Sequence, residues 1–375
     1  MFSKRVREVE LSGIRKYFEM ADDSTINLGI GQPDFQPPEG SIDAYYEAMQ
    51  DGYNGYGSTY GIEKLRVEIA EEYSKYEPRL TKDNVLIHVG ATQAFKIITE
   101  SLVDDHVEIL CPNPGFVLFE PQVKLAGGIP ISYPVKQEND FVPKVEDLEE
   151  RRTSKTKAII VNSPSNPCGG VFPKSAIENI VEWARENDIL ILSDEVYEKL
   201  TYEKEHESFL GKADNVIMVN SFSKRFAMTG WRVGFVITKN DWIEELGKIN
   251  YYNIANPPHP TQHAVLQALK NEEEFVKDMR ETFRKRRDVI VERLNDIPGF
   301  ECLEPKGAFY AFPSFDYDLT GKQLTEKIME NGALVTPGSA FGSAGEGHLR
   351  LSYANSIENI NKAMDIIEKT VARLD

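Results

Sequence analysis

The stretch SFSKRFAMTGWR, at residues 221–232, combines side chains that could carry out chemistry together. Lys224 offers an amine that can bond to a carbonyl carbon, and Arg232 offers a guanidinium that binds carboxylates or phosphates through paired hydrogen bonds. Ser221 adds a hydroxyl. A basic surface turn would have the same composition, because most Lys and Arg side chains lie in solvent. The rest of the chain has to separate these two interpretations.

Small or polar residues also follow three other apolar runs. The residues GATQ at 90–93 follow NVLIHV and open a helical pattern, and the free N–H groups at a helix start suit a phosphate. Asn166 comes after the run KAIIV, and Asp194 and Tyr197 come after the run DILIL. A tight turn, a loop and a helix cap would each explain one of these positions without any ligand.

The elements that must position these groups are short strands that alternate with helices. The strand candidates are nearly continuous in apolar residues, as the buried strands of a parallel sheet are. They lie at residues 84–89, 106–112, 129–135, 157–164, 188–195, 215–222 and 232–238. Helical patterns between them include residues 92–102 and 174–187. This alternation predicts an α/β domain with a mostly parallel central sheet flanked by helices, in which ligands bind at the carboxyl ends of the strands.

The pattern changes from about residue 273 onwards. EEEFVKDMRETFRKRRDVIVERL is typical of one long charged helix, GAFYAFPSF and HLRLSYA of strands, and IENINKAMDIIEKTVARL of a final helix. We therefore predict a smaller α+β domain next to the large one. The expected division is a large domain over residues 43–272 and a small domain made of residues 1–42 and 273–375.

Charge, cysteine content and hydropathy exclude several classes of function. A formal net charge of −17 over 375 residues argues against nucleic acid or an anionic membrane as a partner. Cys111, Cys168 and Cys302 are far apart, which disfavours a disulfide framework or a zinc site and is typical of a reducing cytosol. The N-terminus lacks a secretory signal, and no apolar run approaches the roughly 20 residues that span a bilayer. We expect a cytoplasmic protein without a metal site.

The groups that follow the predicted strands together match the needs of pyridoxal phosphate. A lysine can form a Schiff base with its aldehyde, and a carboxylate keeps the pyridine nitrogen protonated so that the ring accepts electrons. A phenol and an amide can hold the ring oxygen, while a helix start and an arginine can bind the phosphate. The combination, rather than any single residue, predicts this cofactor.

Over essentially its whole length the chain resembles the class I/II aminotransferases, a fold-type-I group of pyridoxal-phosphate enzymes, and in particular those of the aspartate/aromatic kind. Short motifs carry the resemblance, in the same order and at matching spacing. They are INLGIGQPDF (26–35), YGSTYGIEKLR (56–66), GATQAF (90–95), NPGFVLFEP (113–121), NSPSNPCGGVF (162–172), SDEVYEKL (193–200), SFSKRFAMTGWRVGF (221–235), PKGAFYAF (305–312) and HLRLSYANS (348–356). The resemblance implies the fold of that group.

The resemblance implies a role for each residue around the cofactor ring. Lys224 matches the Schiff-base lysine, which also moves the proton between substrate Cα and cofactor. Asp194 matches the acid on the pyridine nitrogen. Tyr197 and Asn166 match the donors to the ring oxygen, and Phe116 matches an aromatic that stacks on the ring.

It also implies residues for the phosphate. Ala91, Thr92, Ser221 and Arg232 fall at phosphate-binding positions. Tyr56 matches a tyrosine that reaches the phosphate of the neighbouring subunit, which implies a homodimer with shared active sites.

For the substrate, the resemblance implies Arg350 as the arginine that binds the α-carboxylate, a task that suits its planar guanidinium. Gly31 and Asn166 fall beside the same carboxylate. Two positions depart from the family's pattern. Cys168 replaces a usual threonine, with little expected consequence. Thr92 stands where some aspartate-specific members have lysine, so we expect broad specificity rather than a strong preference for aspartate.

The activity that follows is transfer of an amino group from an L-amino acid of aspartate, glutamate or aromatic type to a 2-oxo acid by a ping-pong mechanism. A β-lyase, a decarboxylase or a cyclopropane-forming synthase of the same fold would use Lys224 and Asp194 equally well. A non-catalytic binding module, like the aminotransferase-like part of some transcription regulators, is disfavoured by the net charge. Phe18, Phe35 and Tyr60 are aromatic candidates for the substrate entrance.

Overall fold

A central sheet dominates the computed structural model, which describes residues 2–10, 24–270 and 272–374. Strand β1 (Ile26–Asn27) belongs to a different sheet. The seven strands of the central sheet are β2 (Val85–His88), β3 (Glu108–Asn113), β4 (Ile129–Pro134), β5 (Thr156–Asn162), β6 (Leu190–Asp194), β7 (Val216–Ser221) and β8 (Gly234–Ile237). They are the seven runs that the apolar pattern predicts as strands, so that prediction is confirmed.

The order across this sheet is β2-β8-β7-β6-β5-β3-β4. Strands β3 to β7 run parallel to one another, whereas β8 is antiparallel to both β2 and β7. The predicted mostly parallel sheet is therefore confirmed, with β8 as the exception. Since β8 runs the other way, its first residue, Gly234, lies beside the last residues of β2 and β7.

Helices cover the sheet and complete the smaller part of the molecule. They are α1 (Lys4–Arg7), α2 (Ser41–Gln50), α3 (Glu63–Tyr73), α4 (Gly90–Leu102), α5 (Phe119–Ala126), α6 (Val145–Glu149), α7 (Lys174–Glu186), α8 (Phe222–Arg225), α9 (Asn240–Ile254), α10 (His259–Lys270), α11 (Glu272–Asp296), α12 (Gly321–Glu330) and α13 (Ile357–Val371). In α7 the predicted apolar stripe, which includes Ile177, Ile180 and Ala184, is buried. None of the helices in the described ranges combines the length and the apolar content that a bilayer crossing requires.

Alternation along the strands divides the core between the two faces of the sheet, because successive side chains point in opposite directions. Leu192 and Val219 pack with residues of α4 on one face. On the other face, Ile191 packs with residues of α7, and Met218 and Ile237 pack with residues of α3. Both faces are covered, which is why these strands lack a polar alternation.

Residues from the C-terminal third form the smaller α+β part. Its strands are β9 (Phe300–Glu301), β10 (Tyr310–Ala311), β11 (Ser314–Phe315), β12 (Ala333–Leu334), β13 (Thr336–Pro337) and β14 (Leu349–Ser352). Strand β14 pairs antiparallel with β10 and β13, and β1 pairs parallel with β12. This pairing joins the segment around Ile26 to the C-terminal third. The boundaries at residues 42/43 and 272/273 stay a prediction.

Candidate active site

The carboxyl ends of the parallel strands surround one cavity of about 550 Å³. Strand β6 ends at Asp194, and β7 ends at Ser221, just before the one-turn helix α8 that carries Lys224. Of the predicted site residues, those that line the cavity are Gly31, Ala91, Thr92, Phe116, Asn166, Asp194, Tyr197, Ser221, Lys224, Arg232 and Arg350. Groups from separate parts of the sequence thus meet at one edge of the sheet, as its topology predicts.

Lys224 extends its amine into this cavity. Its Nζ donates a hydrogen bond to the carbonyl oxygen of Gly31. Burial lowers the pKa of Lys224 to about 7, and the positive charges of Arg350 and Arg232 act in the same direction. A large fraction of the amine is therefore unprotonated near neutral pH, the form that can act as a nucleophile or a base.

Asp194 lies beside Lys224, and only 4% of it is exposed. Its Oδ1 accepts a hydrogen bond from the backbone N–H of Val196 at 3.2 Å. Burial raises the pKa of Asp194 to about 7, and the nearby charge of Glu195 adds to the rise. A cation placed against this carboxyl would favour its ionised form, so the position suits a protonated ring nitrogen.

The neighbouring acid, Glu195, faces away from the cavity. Its Oε1 accepts hydrogen bonds from Ser193, Ser208 and the backbone of Phe209, at 2.8, 3.0 and 3.1 Å. Its Oε2 lies 2.7 Å from Nε2 of His206. Two consecutive acids therefore have separate tasks, because side chains alternate between the two sides of an extended backbone.

Arg350 lies on β14 and is 2% exposed. Its Nη1 donates to Oδ1 of Asn166 at 3.1 Å, and its Nη2 donates to the carbonyl oxygen of Gly29. The guanidinium also lies 4.7 Å from the ring centres of both Tyr310 and Phe341. Within the described part of the chain, its Nε is buried without a hydrogen-bond partner. Buried donors rarely remain unsatisfied, so this atom indicates an anionic ligand that the protein itself does not supply.

The start of α4 has the features of an anion site. Gly90 has φ of +72°, and a Cβ there would overlap Nη2 of Arg232. Glycine therefore allows the guanidinium to lie against the helix start, whose free N–H groups attract an anion. Arg232 donates through Nη1 to the carbonyl oxygen of Thr229 at 2.9 Å. Ser221 caps α8, with its Oγ accepting from the N–H of Ser223 at 3.1 Å.

Tyr56 is the predicted site residue that does not line the cavity. It is 92% exposed and lies in an irregular segment between two glycines, Gly55 and Gly57. Of the aromatic candidates for the substrate entrance, Phe35 packs against Phe283 at 5.4 Å between ring centres, and neither it nor Tyr60 lines the cavity. A place at the substrate entrance stays a prediction for these two residues, and Phe18 lies outside the described residues.

Sequence reasoning missed some residues that line the cavity, notably Tyr310 and Ser223. The hydroxyl oxygens of Tyr310 and Tyr197 lie 2.8 Å apart. A Cβ at Gly31 would overlap the Tyr310 hydroxyl, which explains why this position needs glycine. The motif PKGAFYAF contains Tyr310, but its pattern is that of a buried strand and gives no signal that one phenol faces a ligand.

The donor set fits pyridoxal phosphate. The cavity offers an amine of lowered pKa at Lys224, a buried carboxyl at Asp194 and an anion-binding helix start at Gly90. The unpartnered Nε of Arg350 adds a position for a carboxylate. An aldehyde, a pyridine nitrogen, a phosphate and a substrate carboxylate would each find a complementary group.

Comparisons with known proteins point in the same direction. A family model described as aminotransferase class I and II matches residues 23–367. An aspartate aminotransferase of Pyrococcus abyssi is 42% identical over 381 residues, which cover 98% of this chain and 98% of that protein. Aromatic-amino-acid aminotransferase 2 of Thermococcus litoralis is 40% identical, again with 98% of each chain covered. The solved structure of Thermus thermophilus aspartate aminotransferase with maleate has a TM-score of 0.93 at 33% identity, and 99% of each chain is covered.

Proposed function

The chain belongs to the class I and II aminotransferase family, and on this premise we propose which of its side chains carry out amino-group transfer. The observation that supports the assignment most is the meeting of Lys224, Asp194 and Arg350 around one cavity. When bound, pyridoxal phosphate supplies an aldehyde that exchanges amines and a ring that delocalises the electrons left at the substrate Cα.

Lys224 is the residue that moves protons. With a pKa of about 7, its Nζ can take the proton from the substrate Cα and later return a proton, because a base works best when its pKa lies near the working pH. Its hydrogen bond to the carbonyl of Gly31 orients the amine along the wall of the cavity.

Asp194 and Tyr197 control the charge distribution of the cofactor ring. The carboxylate of Asp194 keeps a proton on the ring nitrogen, and the hydroxyl of Tyr197 donates to the ring oxygen. The Oδ1 of Asn166 accepts a hydrogen bond from Arg350. The two hydrogens on Nδ2 of Asn166 therefore remain available to donate to the same ring oxygen. Phe116, which lines the cavity and is half-buried, stacks on the ring face.

We assign the binding of anions to two groups of residues that line the cavity. The N–H groups of Ala91 and Thr92, together with Arg232 and Ser221, bind the cofactor phosphate. Arg350 binds the α-carboxylate of the substrate with the donor that has no partner among the described residues. Gly31 leaves room for that carboxylate beside the backbone.

The substrates are best described as acidic and aromatic amino acids and their oxo acids. Among the cavity-lining residues, the cations are Lys224, Arg232 and Arg350, and each has a task at the cofactor or at the α-carboxylate. Thr92 offers a neutral hydroxyl, which binds a distal carboxylate about half as strongly as a charged donor would. The relatives named above are an aspartate and an aromatic aminotransferase, which supports a pocket that accepts both classes.

A panel of amino acids with 2-oxoglutarate tests this proposal. We expect kcat/KM values for aspartate, tyrosine and phenylalanine within about tenfold of one another, a difference of about 1.4 kcal/mol in transition-state binding. Detecting the matching oxo acid by mass spectrometry after one half-reaction separates transamination from a β-lyase or a decarboxylase. A preference for aspartate of about a thousandfold or more would contradict our assignment of Thr92.

Two variants sharpen the same test. Thr92→Lys places a cation in the pocket and should raise the ratio of kcat/KM for aspartate to that for phenylalanine. Thr92→Val removes only the hydroxyl and should lower that ratio slightly. If neither variant changes the ratio, Thr92 does not contact the substrate side chain.

We also propose that the active form is a cytoplasmic homodimer. The exposed Tyr56 does not line the cavity of its own chain, and a hydroxyl in this position can serve a phosphate only in a second subunit. The cytoplasmic location is proposed from the three cysteines, because they are buried and unpaired, as in proteins of a reducing environment.

A further inference from the structure

Tyr310 is a buried phenol of the cavity whose place in the chemistry is not explained by the assignments above. It lies on β10, is 0% exposed and lines the same wall as Tyr197. The two rings meet edge to face, with their centres 5.7 Å apart at 80°. Phe309 packs against both rings, at 4.8 Å from Tyr310 and 5.6 Å from Tyr197. The packing therefore fixes where both hydroxyl groups point.

A phenol has one hydrogen to donate, so the 2.8 Å contact between these hydroxyls has two possible directions. If Tyr197 donates to Tyr310, its single hydrogen is no longer available to a ligand. If Tyr310 donates to Tyr197, the hydrogen of Tyr197 stays free to point into the cavity.

The charge of Arg350 favours the second direction. Its guanidinium lies 4.7 Å from the ring centre of Tyr310. Burial raises the pKa of both phenols, that of Tyr197 well above its usual range. The charge of Arg350 lowers the pKa of both, and at Tyr310 it is the largest cause after burial. Because the more acidic of two like groups is the better donor, the closeness of Arg350 to Tyr310 favours donation from Tyr310 to Tyr197.

We propose that Tyr310 is a positioning residue, whose hydroxyl donates to Tyr197 and so directs the only hydrogen of Tyr197 to the ring oxygen of the cofactor. This inference rests on the proposed function. It predicts that Tyr310 acts entirely through Tyr197, which a pair of single variants and their combination can test.

The experiment compares Tyr310→Phe, Tyr197→Phe and the double variant, loaded with pyridoxal phosphate and without substrate. The measured quantity is the pH midpoint of the change in visible absorbance. A donor to the ring oxygen stabilises the form that has lost its proton, because that form carries more negative charge, so losing the donor raises the midpoint. We expect Tyr310→Phe to raise it by about half a pH unit, the size of one weakened hydrogen bond, and Tyr197→Phe to raise it further. The double variant should match Tyr197→Phe alone.

A second measurement does not depend on the loaded protein. The Kd of pyridoxal phosphate for the cofactor-free protein should weaken by about threefold in Tyr310→Phe, because the hydroxyl of Tyr197 loses the hydrogen bond that fixes its orientation and strengthens its own donation. The matched control is Tyr353→Phe. The hydroxyl of Tyr353 lies 3.1 Å from that of Tyr202, in a second, partly buried pair of tyrosines outside the cavity, so this variant should change neither the midpoint nor the Kd.

The outcomes are distinct. Shifts that add up in the double variant, or a Tyr310→Phe protein that behaves like Tyr353→Phe, would overturn the positioning role and leave the proposed function intact. A wild-type protein that fails to bind pyridoxal phosphate would overturn both.

Discussion

The inner wall of the cavity and the irregular segment that carries Tyr56 differ in how deeply their side chains are buried. The wall consists of residues on strand ends, and its Asp194 and Arg350 are 4% and 2% exposed. Tyr56 is 92% exposed, and Tyr46 and Tyr53 near it are 61% and 41% exposed. Groups whose own pKa values must be shifted need burial, and a single chain can supply that burial. Groups that only add a contact can be left at a surface for a second molecule to complete.

Among the variants of the inner wall, Lys224→Ala should have the largest effect on activity. It removes the nucleophile and the proton carrier together, so kcat should fall by at least about a thousandfold. The visible absorbance of the purified protein should disappear as well, since it depends on the bond to the amine. Comparable turnover in Lys224→Ala and in the wild type, measured with aspartate and 2-oxoglutarate, would show that the chemistry lies elsewhere.

Asp194→Asn tests whether burial of the wall costs stability when no cofactor is bound. The folded pKa of about 7 is above the usual value of 3.8, so the folded state binds more protons than the unfolded state between these values. The free energy of unfolding that Asp194 contributes therefore falls as the pH rises from about 4 to 7. The amide that replaces this carboxyl has no charge to bury. Above pH 7 the cofactor-free variant should be about 2–4 kcal/mol more stable than the wild type, and the gain should vanish toward pH 4.

Urea unfolding at a series of pH values measures this difference. The exposed Asp105 provides the control, because Asp105→Asn should follow the wild type at every pH. A gain in Asp194→Asn that is the same at pH 4 and pH 7 would mean that the carboxyl is not the source of the effect.

Gly31→Ala tests the space within the wall. The new Cβ would overlap the hydroxyl of Tyr310, so either the ring or the segment around residue 31 must move. We expect KM for the amino acid to rise by about tenfold, because the carboxylate site beside Gly31 is displaced. Gly230, where an added Cβ meets nothing within 4 Å, gives the control variant Gly230→Ala. Equal KM values in the two variants would contradict the close approach.

Tyr56→Phe should change activity least, because it removes a single hydroxyl from an exposed side chain. If Tyr56 contacts the phosphate of a neighbouring subunit, the Kd of pyridoxal phosphate should weaken by a few fold, about 1 kcal/mol. Tyr252 is 88% exposed, so Tyr252→Phe is a matched control that should not change the Kd.

Mixing subunits of two variants tests whether Tyr56 of one chain completes the cavity of another. Combining Tyr56→Ala with Lys224→Ala subunits should yield dimers in which one cavity has both residues intact. At a limiting concentration of pyridoxal phosphate, where Tyr56→Ala alone binds little cofactor, the mixture should be more active than either variant alone. Full activity of the wild type in a sample that remains monomeric by light scattering would exclude this arrangement.

Much of the fold could be predicted because buried strands and amphipathic helices leave clear apolar patterns. The seven central strands and the stripe of α7 are examples. The direction of β8 could not be predicted, since RVGFVIT has the same apolar pattern in a parallel or an antiparallel neighbour. Likewise, no local pattern distinguishes Asp194, which faces the cavity, from Glu195, which faces His206.

The site residues likewise divide into those that the sequence could identify and those that it could not. Residues within motifs, such as Lys224 and Arg350, could be assigned by resemblance, and the structure places them around the cavity. Tyr310 could not, because its partner Tyr197 lies 113 positions away in the sequence and the contact exists only after both sheets have formed. Phe35 shows that a single aromatic residue is ambiguous, because beside a ligand motif it can border a substrate or pack on a helix, and it packs against Phe283.

The pairing of β1 with β12 has a consequence for the order in which the protein is made. Ile26 pairs with Ala333, and Arg350 holds the carbonyl of Gly29, so the segment around Gly31 lacks these partners until the last part of the chain has been synthesised. Closing so long a loop is slow compared with forming neighbouring strands and helices. On the ribosome, the central sheet with Asp194 and Lys224 can therefore form before Arg350 reaches Gly29 and completes the wall of the cavity.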